Sequence, residues 1–175
     1  YSSNLPLSGP PPKDLVYGGP FNLFVKRADG GSETTTILDS ASAGVPLGWK
    51  QPTSWSPDGQ FILFDLINAK TMHDIWLLPL TGDRRPRPWL ETEFREMSAQ
   101  MSPDGKWVAY QSDETRRFET YVRPLSGSGK KPISTAGGTY ARWRADGKEI
   151  YYISPLNKLM SVSIRTSGDA IDVGA

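Results

Sequence analysis

Cysteine is absent from this 175-residue sequence, and histidine occurs once, as His73. The missing thiols exclude disulfides, thiolate metal sites and cysteine nucleophiles, and one histidine leaves too few ligands for a zinc site. No apolar run approaches the roughly 18 residues that a membrane-spanning helix requires. We therefore expect no cofactor, no bound metal and no membrane span in this chain.

The sequence also lacks an excess of charge of either sign. Twenty basic residues stand against nineteen acidic ones, which gives a formal net charge of +1. Because no bulk field draws such a chain to nucleic acid, a partner must be recognised locally. Apolar residues make up 37% and aromatic residues 11% of the sequence, which predicts a packed fold and not a disordered chain.

The sequence also lacks sustained helical periodicity, because fifteen prolines and seventeen glycines interrupt it. A repeated turn is present instead. Trp-Ser-Pro-Asp-Gly-Gln at residues 55–60 returns as Met-Ser-Pro-Asp-Gly-Lys at 101–106 and, altered, as Trp-Arg-Ala-Asp-Gly-Lys at 143–148. Its aspartates, Asp58, Asp104 and Asp146, are 46 and 42 residues apart, close to the ~40–45 residues of a four-stranded propeller blade.

Apolar segments follow each turn, first at residues 61–64, 107–110 and 150–153 and then at 74–80, 119–125 and 158–164. The first two runs are nearly continuously apolar, which indicates strands covered on both faces, as in radially stacked blades. Residues 22–25 match 74–77, so a partial blade precedes the first turn. A two-sheet sandwich also has short strands and regular turns, but it gives no reason for the repeat.

The sequence therefore predicts an all-β chain that forms a partial β-propeller of about four blades, each a four-stranded antiparallel sheet. The predicted blades cover residues 13–50, 51–96, 97–138 and 139–175, and residues 1–12 form a linker or closing strand. The Ser-Pro-Asp-Gly segment is a type I turn that joins the innermost strand to the next. These turns define one face of the disc, the turn face, and the loops that lead into each innermost strand define the other, the loop face.

These motifs resemble the TolB-like, WD-repeat-like propellers, and the resemblance covers roughly residues 13–165. Residues 19–164 resemble still more closely the propeller region that follows the serine/threonine kinase or DNA-binding domain of some bacterial proteins. The resemblance rests on the following residues: Gly19, Pro20, Phe21, Asn22, Leu23, 55–59, 74–80, Gly82, 91–96, Gly137, Gly138, Thr139, Arg142, Trp143, Arg144 and 146–148. It implies a sensing or protein-binding module. We expect the chain to be part of a longer protein such as a serine/threonine kinase, with the accessory propeller of a peptidase or hydrolase as the alternative.

Catalytic motifs are missing from the sequence, and we predict that the chain is not an enzyme. A Ser/His/Asp arrangement would have to use His73, which lies in a polar loop, and no serine has the glycine spacing of a nucleophile elbow. The aspartates of the repeated turns are interpreted as turn formers. The basic clusters are interpreted as a solvated rim: Arg84, Arg85, Arg87, Arg116, Arg117, Arg142 and Arg144.

The loop face offers the candidate ligand or partner surface, because each loop into an innermost strand contributes an aromatic residue and two contribute charges. The candidate residues are Trp49, Lys50, Phe94, Arg95, Glu96, Thr139 and Tyr140. An alternative is that these aromatics only wedge between blades.

A protein or peptide is the expected partner of the chain. Self-association through exposed terminal blades is also expected, because both ends carry apolar residues: Leu15, Val16, Tyr17, Leu23 and Phe24, and Ile150, Tyr152, Leu159 and Met160. The compartment follows from the parent protein, extracytoplasmic for a membrane-anchored sensor and cytoplasmic otherwise.

Overall fold

The computed structural model describes residues 14–18, 22–29, 31–39, 44–168 and 170–174, with 14–18 described by their backbone. Residues 1–12, expected to be a linker or closing strand, lie outside this range, as do the side chains of Leu15, Val16 and Tyr17. The described residues form four antiparallel sheets. No membrane-crossing helix is found among them.

Each sheet is a simple meander in which consecutive strands are neighbours. The first contains β1 (Asp14–Gly18), β2 (Asn22–Arg27) and β3 (Thr34–Asp39). The second contains β4 (Trp49–Trp55), β5 (Phe61–Asn68), β6 (Met72–Pro79) and β7 (Arg87–Leu90). The third contains β8 (Glu96–Met101), β9 (Trp107–Ser112), β10 (Glu119–Pro124) and β11 (Lys131–Pro132). The fourth contains β12 (Thr139–Trp143), β13 (Glu149–Ile153), β14 (Leu159–Ser167) and β15 (Ala170–Val173).

The repeated segment forms a tight turn in all three sheets that contain it, as the sequence predicted. Gly59 N donates to Ser56 O at 2.9 Å, and Gly105 N donates to Ser102 O at the same distance. Both glycines have φ of 72°, a left-handed conformation that disfavours side chains. In the third turn Arg144 replaces the serine, and Gly147 N still donates to its carbonyl at 2.9 Å.

Three apolar clusters hold the sheets together, one at each interface between consecutive sheets. The first strand of a sheet packs on the second and third strands of the sheet before it: β8 on β5 and β6, and β12 on β9 and β10. In the same way β4 packs on β1 and β2, so β1 corresponds to a second strand and β2 to a third. This order makes β2 equivalent to β6 in the repeat, and it confirms the propeller fold.

The residues predicted to lie at exposed ends of the arc differ in burial. Leu23 and Ile150 are fully buried, and Tyr152 is 8% exposed, because all three side chains face the neighbouring sheet. Phe24 is half-buried. Leu159 and Met160 are exposed. Strand alternation explains the difference between Leu23 and Phe24, since neighbouring residues of one strand point to opposite faces.

Candidate binding face

Large exposed apolar side chains gather on the loop face. The described residues include seven of them: Leu47, Trp49, Met72, Tyr140, Leu156, Leu159 and Met160. Each lies at the start of a first strand, at the start of a third strand, or in the loop beside one of these. Those strand ends are opposite the repeated turns, so none of the seven lies on the turn face. An aromatic and aliphatic surface of this kind is typical of a protein contact.

Trp49 and Tyr140, both predicted from the sequence, are the aromatic members of this surface. Trp49 begins β4 and is 51% exposed, and Tyr140 lies near the start of β12 and is 62% exposed. The hydroxyl of Thr139 donates to Ile153 O at 3.5 Å, which holds the strand beside Tyr140. Leu47, Met72 and Leu156 were not predicted, because Leu47 and Leu156 stand in loops outside the repeated motif and Met72 begins β6 outside it.

Phe94 and Arg95 lie in the loop between the second and third sheets and are only partly exposed. The guanidinium of Arg95 lies over the Phe118 ring, 4.8 Å from its centroid, and its Nε donates to Asp113 at 2.7 Å. Partial burial opposes ionisation of Asp113, but its bonds to Arg95 hold its pKa below the ordinary value. Arg95 is therefore a fixed cation on this face and not a mobile one.

Lys50 and Glu96, also predicted for this face, are buried. Lys50 is fully buried and its Nζ donates to Gly48 O at 3.2 Å, and burial lowers its pKa. Glu96 is 2% exposed, and its carboxylate accepts a bond from Thr92. Burial, together with the nearby carboxylate of Asp74, raises the pKa of Glu96. These two side chains are therefore in the interior and are not available for contact on the loop face.

A repeated hydrogen bond fixes the first strands to the sheet before them. The first strands β4, β8 and β12 each have a bulge, between Pro52 and Ser54, between Met97 and Gln100, and between Thr139 and Arg142. Ser98 and Tyr140 in the last two bulges have φ of 58° and 55°. Ser98 N donates to both carboxylate oxygens of Asp65 at 3.1 and 3.0 Å, and Tyr140 N donates to Gln111 Oε1 at 3.1 Å. Pro52 has no N–H and needs no acceptor. The backbone at Tyr140 is thus held by an acceptor on the neighbouring sheet.

His73 and the basic clusters show no catalytic arrangement in the described residues. His73 is half-buried at the start of β6, where burial lowers its pKa. Arg117 donates to Glu119 at 2.6 Å, and Arg144 pairs with Asp146 and with Glu149. No group of three histidine or acidic side chains in the described ranges could hold a metal ion.

Solved structures with the same fold include TolB from Agrobacterium tumefaciens, with a TM-score of 0.66 and 17% identity. That match covers 87% of this chain and 55% of TolB, so the chain spans about half of its length. A nidogen/laminin complex matches with a TM-score of 0.57 and 12% identity, over 86% of this chain and 62% of the other.

A prolyl endopeptidase matches with a TM-score of 0.53 and 13% identity, over 88% of this chain and 28% of the enzyme. No family model matches the sequence. At identities this low, the matches show a shared fold and nothing about function. The chain therefore has the β-propeller blade fold found in TolB.

Proposed function

We propose that this chain is a non-catalytic propeller module that binds a protein or peptide through its loop face. The observation that carries the proposal is the location of all seven exposed large apolar side chains of the described residues on that face. Tryptophan and tyrosine supply large contact areas at interfaces, and an arginine that is held in place supplies directional hydrogen bonds. Trp49, Tyr140 and Arg95 have these roles in the proposed contact.

The fold neighbours support a protein partner in a general way. Propellers of this kind occur in TolB and in a nidogen/laminin complex, which is an assembly of proteins. We propose further that the blades at residues 13–50, 51–96, 97–138 and 139–175 belong to the sensing region of a larger protein such as a serine/threonine kinase. In that setting the loop face would contact the molecule that the parent protein senses.

An accessory propeller of a peptidase or hydrolase is the second candidate, and the likeness to prolyl endopeptidase favours it. In this case the loop face or the turn face would border a separate catalytic domain. The full reading frame distinguishes the two candidates. Kinase or DNA-binding motifs before the first sheet support the sensor, and an α/β-hydrolase segment after the fourth sheet supports the peptidase.

A peptide-display selection on the purified chain tests the proposed contact. We expect the selected peptides to lose about tenfold or more in affinity when Trp49→Ala and Tyr140→Ala are combined, because truncation of aromatic anchors removes most of a hot spot. Isothermal titration of each synthetic peptide measures the loss.

The matched control is Arg84→Ala with Arg85→Ala, which changes two exposed side chains near the turn face. Since Trp49 and Tyr140 are exposed, neither double variant is expected to change the unfolding free energy by more than about 0.5 kcal/mol per site. Peptides whose binding is unaffected by the aromatic pair, or lost with the arginine pair, would contradict the proposal.

A further inference from the structure

The bulges of the three first strands are of two kinds. Ser98 and Tyr140 lie six residues before the aspartate of their repeated turns, and each donates its N–H to a side chain of the preceding sheet. Pro52 lies at the same place in β4 and has no N–H. The bulges of β8 and β12 therefore require an acceptor, and the bulge of β4 does not.

The acceptor always stands at the same position of the second strand. Asp65 and Gln111 each lie seven residues after the aspartate of their repeated turns, and both are buried. Gly18 occupies this position in the first sheet, because β1 pairs with β2 as β5 pairs with β6. Gly18 has no side chain that could accept a bond, and Pro52, in the strand that packs on β1, has no N–H to donate. Donor and acceptor are thus present together or absent together.

The fourth sheet has Ile153 at the acceptor position. An aliphatic side chain accepts no hydrogen bond. A bulge N–H that was covered over Ile153 would lose water without gaining a partner, which is unfavourable. The outward face of the fourth sheet therefore suits a proline bulge and disfavours a bulge like that of β8 or β12.

A second position divides the faces in the same way. Four residues before the acceptor position, the two faces with an acceptor have an aromatic residue, Phe61 or Trp107. The two faces without an acceptor have an acid there, Asp14 in the first sheet and Glu149 in the fourth. At both positions the fourth sheet thus has the type of residue found in the first sheet, which β4 covers.

The charge of Glu149 does not prevent this face from being covered. Its carboxylate accepts bonds from Tyr151 Oη at 2.8 Å, Arg144 Nη1 at 2.8 Å and Ser161 Oγ at 3.2 Å. The bond from Tyr151 and the charge of Arg144 hold the pKa of Glu149 below its ordinary value. Because these partners belong to the fourth sheet itself, a covering sheet would not leave the carboxylate unpaired. Leu159, which is 70% exposed, is an apolar residue that the cover would bury.

We propose that the outward face of the fourth sheet is a docking surface for a further propeller blade whose first strand has proline at the bulge. Within this chain, the segment Trp-Lys-Gln-Pro-Thr at residues 49–53 is the example of such a strand. It is already packed on the first sheet, so a second copy of the folded chain does not offer it. The docking surface is a sheet face and not the loop face, so it is independent of the proposed protein contact.

A chain with one added blade tests the proposal. A second copy of residues 44–95 is fused after Ala175, so that seven residues separate Val173 from the added first strand. The chain has five residues between β7 and β8 and six between β11 and β12, so this connection is of similar length. Fusion also gives the added blade a high effective concentration beside the fourth sheet.

Two measurements report docking. We expect the methyl signals of Ile153 in a ¹H–¹³C spectrum to shift when the added blade covers this side chain, and Ile153→Val identifies them by their loss. We also expect hydrogen exchange of the backbone amides in the added copy of β5 to slow by about tenfold or more, because they are protected only while the blade is docked.

A pair of substitutions isolates the bulge N–H. Pro52→Ser in the added copy introduces the residue that β8 has, Ser98, and should reduce the protection of the added blade about tenfold. Ile153→Gln supplies the acceptor that the third sheet has in Gln111. It should recover the loss in the serine variant and give no gain with proline, which separates the hydrogen bond from the stiffness of proline.

Three results would overturn the proposal. The first is an added blade that leaves both the Ile153 signals and its own exchange unprotected. The second is a serine variant that docks as well as the proline form, or that Ile153→Gln does not rescue. The third is an Ile153 shift that grows with protein concentration, which would show that a second molecule, and not the added blade, covers the face.

Discussion

Two interfaces built from the same repeat differ in how well they are filled. Between the second and third sheets, Leu63, Ile75 and Leu77 pack on the third sheet, and Trp89 closes the outer side. Between the third and fourth sheets, Ala109 stands where Leu63 does, and a cleft remains beside Trp107. The repeat thus sets the course of the strands, while the side chains between the sheets set how tightly they pack.

The outward face of the fourth sheet continues this change. Its residues at the positions of Phe61 and Leu63 are Glu149 and Tyr151. Glu149 accepts a bond from Tyr151 Oη at 2.8 Å and from Ser161 Oγ at 3.2 Å. The equivalent faces therefore differ along the chain. The face of the second sheet is apolar and well packed, that of the third sheet is loosely packed, and that of the fourth sheet is polar.

Exchange of the residues at one equivalent position tests the comparison most strongly. Leu63→Ala should lower the unfolding free energy by about 2–5 kcal/mol, because it leaves a cavity in the filled interface. The reverse change, Ala109→Leu, should cost less than Leu63→Ala, because the interface between the third and fourth sheets is less completely filled and has more room for the added side chain. Denaturant unfolding monitored by fluorescence measures both.

Leu159→Ala is the control for this exchange, since Leu159 is 70% exposed and its truncation should change stability by less than about 0.5 kcal/mol. Equal costs for Leu63→Ala and Leu159→Ala would show that the filled interface does not stabilise the fold, and the comparison would fail.

The side chains that accept hydrogen bonds from the bulge N–H groups lead to a prediction about how the stability of the fold depends on pH. Burial raises the pKa of Asp65 to about 7, although its bonds from Ser98 N oppose the shift. Between about pH 4 and pH 7 the folded chain holds a proton that the unfolded chain has released, so stability falls as the pH rises through this range. Asp65→Asn keeps an acceptor without the charge. We expect it to raise stability by about 2–4 kcal/mol near pH 8, and by less as the pH falls towards 4.

The other interface supplies the matched change, because Gln111 accepts the bond from Tyr140 N and is neutral. Gln111→Glu should create the same loss of stability at high pH that Asp65 carries. A wild-type chain whose stability does not decrease between pH 5 and pH 8, relative to Asp65→Asn, would refute the assignment. Unfolding in urea at a series of pH values is the measurement.

Self-association through the terminal sheets remains a prediction and is the smallest effect expected. Leu159 is its exposed apolar residue on the outward face of the fourth sheet, because Met160 pairs with Tyr152 and lies on the face towards the third sheet. The polar surface around Glu149 limits the area that association can bury. We expect weak association that rises with concentration and decreases in Leu159→Lys, as measured by light scattering after size exclusion. A strictly monomeric wild type at all concentrations would contradict it.

Much of the fold could be predicted from the sequence, because the repeat is local. The turns at Ser56 and Ser102 have proline, aspartate and glycine at fixed places, and the altered turn at Arg144 keeps the aspartate and the glycine. The candidate site was harder to predict. Trp49 and Tyr140 are exposed, but Lys50 is buried next to the first of them. Periodicity cannot show which charged residue of a strand the next sheet will cover.

The antiparallel strands, the repeated turn and the order of strands within each sheet follow from the amino-acid sequence, since they depend on residues that are close along the chain. Which residues meet across the sheets depends on the packing of one sheet on the next. Trp89 found an acceptor in Leu125 O, and Trp107 was left without one. That difference arises because side-chain volumes at an interface are matched between segments about 40 residues apart, which no local pattern records.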